Sequence, residues 1–303
     1  MPVSLIVGAS GATGRFLQPR LLAAGHEVVA LSRQLRDSAD ARLRWLCGDL
    51  HATMPPLPAL DAIFSLGPLD AFARWFAQAP IAGTPRVIAF GSMSVESKRD
   101  SADVAERQLA ERLRQAEREL VGAAERRGCR WTLYRPTLIY GAGVDRSLTP
   151  IARFAARWHV VPRLAGAHGL RQPVHAADLA EACVAALTNP RTYERIYALG
   201  GGERLAFATM IERVRASLPT LVVPLPVPLA AARIAARLVR SKWHAALERL
   251  TTDLIADHAA AMADFGWRPR TFHPDASAWI AQEQEAAVDK AQSMENGFPL
   301  SRE

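Results

Sequence analysis

Val3-Ser-Leu-Ile-Val7-Gly8-Ala-Ser-Gly11-Ala-Thr-Gly14 is the stretch on which the reading of this chain turns. Val3 to Val7 reads as a buried strand, and Ala12 to Ala24 as a helix that Gly25 ends. Between them the three glycines stand where a backbone must approach an anion closely and offer it the free amides of a helix N-terminus. Their spacing, Gly-x-x-Gly-x-x-Gly, departs from the more general Gly-x-Gly-x-x-Gly, and a glycine triplet alone is weak. Here strand, triplet and helix come in the required order, which predicts a Rossmann-type dinucleotide site; a tight turn with no ligand is the plain alternative. Gly8, Ser10, Gly11, Ala12, Thr13 and Gly14 would surround the pyrophosphate, with side chains too small to block it.

Strand and helix patterns keep alternating beyond this segment. Further strands are expected at Glu27–Leu31, Arg44–Cys47, Asp61–Leu66, Arg86–Phe90 and Trp131–Arg135, with a long helix over Ala102–Arg127. Leu109, Leu113, Ala116, Leu120 and Ala124 share one face of that helix by their spacing, which predicts that they pack as core while its charges face water. The fold class that follows is α/β, a Rossmann-type doubly wound parallel sheet with a small C-terminal substrate lobe. Residues 1–140 would form the nucleotide-binding domain, its sheet completed by part of 170–200, and 141–285 mainly the lobe. In that lobe Pro150, Pro162 and Pro173 are expected to break the helices, and the polar tail 286–303 is expected to be disordered.

Half of the 303 residues are hydrophobic, enough for a sizeable core and against a disordered or fibrous chain. Cys47, Cys129 and Cys183 are scattered and odd in number, which fits reduced thiols in a cytoplasmic protein, and no metal-ligand spacing occurs. The chain enters a strand at once without a signal-like leader, and the apolar stretch Leu221–Ala232 is short and interrupted by three prolines. The net charge of +7 is read as spread along the chain, a bias toward small anions that does not point to nucleic acid. Leu229–Leu250 reads as a basic amphipathic helix with Arg233, Arg237 and Arg240 on one side, a solvated face first and a membrane-surface or partner contact second.

The end of the second strand reads Ala30-Leu31-Ser32-Arg33-Gln34, with no carboxylate before Asp37. An acid there would accept from a ribose 2′-hydroxyl, whereas an arginine accommodates a 2′-phosphate, so NADP is expected over NAD. Arg33 is the candidate, helped by Ser32 and by Arg15 or Arg36; an ordinary exposed arginine is the alternative. Asp49 after the third strand can accept from the adenine amino group, with Leu50 beside it and Leu66-Gly67 at the end of the fourth strand.

These pieces resemble the short-chain dehydrogenase/reductase superfamily in its extended and atypical branches, which include nucleotide-sugar epimerases, dehydratases and reductases. The resemblance covers about residues 3–200 and is carried by the glycine turn, Asp49, Phe90-Gly-Ser92-Met-Ser-Val95, Arg135-Pro-Thr-Leu-Ile-Tyr140-Gly141 and Arg171-Gln-Pro-Val-His175-Ala-Ala-Asp178-Leu-Ala180. Asp264-Phe-Gly-Trp267-Arg-Pro269 is similar to a closing motif of the sugar-nucleotide members. The resemblance implies that Pro136 and Ile139 pass beside the nicotinamide, that Ser92 is the catalytic serine, and that Arg171 faces a substrate diphosphate unless it pairs with Asp178. It also implies that Tyr140 and His175 mostly support the fold, with Tyr140 a second candidate on the substrate side.

The resemblance breaks at its chemical centre. Family members carry a Tyr-x-x-x-Lys pair eight and four positions before a helical Glu, itself about 18 positions before the Arg-Pro pair; Glu117 fits that register and places Leu109 and Leu113 at the two positions. Leucine can neither exchange a proton nor lower a phenol pKa. Two readings result: an atypical enzyme acting on a nucleotide sugar or similar carbonyl substrate, and a non-catalytic NADP(H)-binding sensor or assembly protein. Oligomeric state stays open, a homodimer among the options.

Overall fold

The computed structural model describes residues 1–34, 36–238, 247 and 249–281. Its first half alternates β1 (Val3–Val7), α1 (Ala12–Ala23), β2 (Glu27–Ser32), β3 (Leu43–Cys47), β4 (Ala62–Ser65), α2 (Leu69–Gln78) and β5 (Arg86–Phe90). The short α3 (Ser94–Ser97), the long α4 (Val104–Arg126) and β6 (Trp131–Pro136) come after it. Next come β7 (Ile139–Tyr140), α5 (Thr149–Trp158), β8 (Val160–Ala165), β9 (Leu170–Arg171), β10 (Val174–His175), α6 (Ala176–Leu187) and β11 (Arg195–Leu199). The remainder holds β12 (Leu205–Ala206), α7 (Phe207–Ala216), β13 (Val223–Pro228), α8 (Leu229–Leu238) and α9 (Ala259–Phe265).

Seven strands form one sheet in the order β11-β6-β5-β4-β1-β2-β3, every pair parallel. Parallel strands need crossovers, and the crossovers cover both faces. Alternation along each strand divides the core accordingly. Ile6, Ala30, Phe64, Ile88 and Tyr134 pack with Leu17 and Leu21 of α1 and with Leu179 and Cys183 of α6. Leu5, Val7, Val29, Ile63 and Val87 pack on the other face with Phe72 and Phe76 of α2 and Leu120 of α4. Each fully buried phenylalanine stabilises the fold by about 2–3 kcal/mol. Strand order reverses between β1 and β4, and at such a switch point the strand ends leave an open crevice.

Several expectations change. The helix α2 lies where the sequence reading saw only a connection, and its Phe72 and Phe76 are fully buried. Pro150 opens α5 in its first turn, where its missing N–H costs nothing, and Pro162 sits within β8. On α4 the buried residues include Glu106 and Glu117 while Leu109 and Leu113 are only half-buried, so neither leucine is core and not every charge faces water. Only part of the expected basic helix is seen, as α8; residues 239–246 and the tail 286–303 lie outside the described residues.

Arg86 ties the β5 side of the sheet to the segment after α6. It is 8% exposed, donates to the Ala186 carbonyl and to Thr132 and Thr192 hydroxyls, and lies 4.7 Å over the Tyr193 ring. Burial lowers its pKa to about 10, so it stays charged at neutral pH. Arg86→Ala strips these buried acceptors of their donor and is expected to cost about 3 kcal/mol, read as a lower thermal unfolding midpoint; an unchanged midpoint would show that the network contributes nothing.

Candidate dinucleotide site

The turn between β1 and α1 has the geometry that only glycine permits. Gly8 has φ +84°, and a Cβ there would lie 3.1 Å from the Gly67 amide nitrogen at the end of β4. At Gly14 a Cβ would fall 2.4 Å from the Ala9 carbonyl oxygen, so the first turn of α1 packs directly on the turn before it. Gly11 is the N-cap of α1 and offers no side chain, and the first turn carries no acid. The opening amides, Ala12, Thr13 and Gly14, are left for an anion, whose charge the helix N-terminus favours.

From this turn a cleft runs along the carboxyl ends of the strands in two halves. The larger, about 580 Å³, is lined by Gly8, Ser10, Gly11, Ser32, Arg33, Asp49, Leu50, Leu66 and Gly67 among others. The second, about 320 Å³, is lined by Gly8, Gly11, Ala12, Thr13, Leu66, Ser92, Pro136 and Ile139, with Gly91 and Thr137. Gly8, Gly11 and Leu66 border both halves, and so do Val144 and Arg146 from the loop after β7. The cleft thus brings together every expected cofactor residue except Gly14, whose part is to let α1 approach.

Arg33 stands exposed at the mouth of the larger half, and the Ser32 hydroxyl beside it accepts from the Gln34 amide. The two supporting arginines border neither half: Arg15 donates to the Ser10 carbonyl, and Arg36 lies over the Trp45 ring. Asp49 accepts from the His51 amide and donates its own amide to the Thr53 carbonyl, which fixes its carboxylate at the cleft wall.

Arg146 carries no sequence signature, being a single arginine in a loop without a motif, and sequence reasoning missed it. Asp145 Oδ1 accepts from the amides of Ser147, Leu148 and Thr149, and its other oxygen binds the Thr149 hydroxyl. This closed turn leads into α5 and holds Arg146 where the two halves of the cleft meet.

In the second half Ser92 Oγ accepts from the Ser94 amide, leaving its proton to be donated. Thr137 donates to the Gln172 carbonyl. Glu117 is 4% exposed and grips Arg135 with both oxygens, at 2.9 and 2.5 Å, which fixes the register of α4 against β6. A Cβ on Gly91 would lie 2.8 Å from Glu117, so the glycine after β5 makes room for that pair. Leu109 and Leu113, the positions counted back from Glu117, are half-buried on α4. Neither borders the cleft, and among the described residues the titratable side chains lining its second half are Asp145 and Arg146. Lys98 lies 3.7 Å from Glu106 and lines neither half.

The substrate-side residues fall elsewhere. Arg171 is 5% exposed, donates to the Leu170 and Thr252 carbonyls and stacks 5.6 Å over Phe207, turned away from the cleft. Its expected partner Asp178 instead binds Arg270. Tyr140 is buried with its ring 5.0 Å from His175 and 4.9 Å from Phe272, beside a separate cavity of about 230 Å³ that shares no lining residue with the cleft. His175 caps α6 through Nδ1 and packs against Gly141, which has φ +106° and where a Cβ would run into the His175 ring.

The comparisons agree with this geometry. Residues 98–200 match the family described as NAD dependent epimerase/dehydratase. A UDP-glucose 4-epimerase from Vibrio cholerae is 23% identical over 155 residues, which span 51% of this chain and 47% of that protein. An epimerase from Methanothermobacter thermautotrophicus superposes with a TM-score of 0.69 at 12% identity, covering 96% of this chain and 95% of its own. UDP-glucuronic acid 4-epimerase from Bacillus cereus, solved with UDP-glucuronic acid and NAD, gives 0.64 at 12% identity, covering 97% and 100%. The resemblance read from the sequence holds: the chain has the fold of the extended short-chain dehydrogenase/reductases, and residues 98–200 carry the mark of the epimerase/dehydratase family.

Burial lowers the His175 pKa to about 4, with the Arg270 charge adding to it. The folded protein therefore binds this proton less readily than the unfolded chain, so stability is full above about pH 6.5 and falls as pH drops toward 4. The expected loss across that window is about 2 kcal/mol, allowing for partial exposure of the ring. His175→Asn keeps a capping acceptor and should flatten that part of the pH–stability curve in urea unfolding; an unchanged slope would contradict the assignment.

Proposed function

We propose that this chain binds NADP(H) in the cleft and works as an atypical epimerase, dehydratase or reductase on a nucleotide sugar or a similar carbonyl substrate. The observation that carries the reading is the cleft itself, with uncapped helix amides at its centre and Arg33 at the end of β2, where no carboxylate stands. The residues fit such a ligand because the glycine turn leaves a cradle that side chains would fill. The α1 amides and Arg146 would hold the pyrophosphate, Arg33 and Ser32 the 2′-phosphate, and Asp49 the adenine amino group.

When bound, the dinucleotide supplies or accepts hydride at the second half. Ser92 is the hydroxyl placed to donate to a substrate oxygen there, with water as the further proton carrier. The non-catalytic sensor is a second reading, favoured by the absence of a phenol or ammonium among the residues lining that half. The family match and the nucleotide-sugar epimerase among the curated relatives favour the enzyme.

Loss of the charge-assisted contacts in Arg33→Ala should weaken NADPH binding roughly tenfold or more while leaving NADH little changed, by calorimetry. Equal affinities before and after the substitution would remove Arg33 from the site. Turnover is followed at 340 nm and by product analysis with UDP- and dTDP-sugars. The enzyme reading expects turnover that Ser92→Ala lowers by about a hundredfold; tight NADPH binding without turnover on any such sugar would leave the sensor reading in its place.

A further inference from the structure

The lobe contains two segments rich in basic residues and free of acidic ones. Residues 146–177 and 216–247 hold nine Arg or Lys and no Asp or Glu, against 28 basic and 30 acidic residues in the rest of the chain. These two segments build α5, β8, β13 and α8 of the lobe. β13 runs parallel to β8 with Val223 opposite Val160, and the Leu221 carbonyl and Val223 amide both bond to His159, the residue after α5.

The same elements expose large apolar side chains. Phe154 and Trp158 stand one turn apart on α5, and Trp158 is 62% exposed. Leu221, Val223 and Leu225 recur at every second residue leading into and along β13, with Leu221 at 82%, and Ile234 is exposed on α8. Arg157 lies against the Trp158 ring at 5.5 Å, and Arg163 is exposed on β8. Glu212, which borders the neighbouring cavity with Arg163, is held by Arg215. An apolar patch of this kind marks an interaction surface. Tryptophan and phenylalanine beside arginine, with no carboxylate on the segments that build the patch, suit the boundary of an anionic bilayer.

We infer that this face of the lobe docks on the surface of a membrane rich in anionic lipid, with Trp158, Phe154, Leu221 and Val223 entering the headgroup boundary and Arg157 and Arg163 meeting the phosphates. Among the described residues no helix is long and apolar enough to cross a membrane, so the contact is peripheral. It is independent of the dinucleotide cleft, since none of these residues lines that cleft.

The test is sedimentation of the full chain with vesicles of phosphatidylcholine, with and without phosphatidylglycerol, at low and high salt. Binding is expected on the anionic vesicles, weaker by roughly tenfold or more on phosphatidylcholine alone or at high salt. The pairs Phe154→Ser with Trp158→Ser and Arg157→Gln with Arg163→Gln should each reduce it severalfold while NADPH binding stays as in the parent, which certifies the fold. No binding to either vesicle overturns the inference, as does binding that both paired variants retain. A dimer in ultracentrifugation that the serine pair abolishes, without vesicle binding, would assign the face to a second copy of the chain and overturn it as well.

Discussion

Everything at the dinucleotide end depends on how closely the backbone of α1 lies on the turn that precedes it. A methyl group at Gly14 would overlap the Ala9 carbonyl, and one at Gly8 would press on the end of β4. With those side chains missing, α1 begins directly over the switch point of the sheet, and its opening amides face the crevice between β1 and β4. The packing that places the helix and the chemistry that binds an anion are therefore one constraint. Leu17 and Leu21 then hold α1 down on Ile6, Val28 and Phe64, so the amides cannot drift from the cleft without breaking core contacts.

A second constraint fixes the other end. The paired oxygens of Glu117 hold Arg135, and so join α4 to the strand whose end, Pro136, forms a wall of the second half. The hydrogen bond to Glu117 raises the Arg135 pKa further, so this guanidinium keeps its charge at any ordinary pH. Leu109 and Leu113 stand on the same helix and border neither half of the cleft.

What was legible in the sequence is what local rules dictate. The glycine turn, the buried strands and the Arg33 position come from periodicity and from sterics acting over a few residues. The helix α2 escaped although Leu69, Phe72 and Phe76 recur at helical spacing, a periodic signal confined to ten residues. The Arg270 partner of Asp178 lies 92 residues away, beyond any spacing rule, and Arg171 looked free for a ligand only because its carbonyl partner at Thr252 is equally remote. The pairing of β13 with β8 joins segments about sixty residues apart and is equally invisible to local rules.

The loop after β7 braces the cleft wall to α5. Asp145 closes the turn by capping the amides that lead into α5, and Arg153 of α5 donates back to the Gly143 carbonyl at 2.7 Å. Arg146 at the cleft and Phe154 and Trp158 on the outer surface therefore belong to one braced unit of chain. A helix held at its N-terminus by three amide bonds to one carboxylate moves as a body with that turn, since shearing it away would strand those amides.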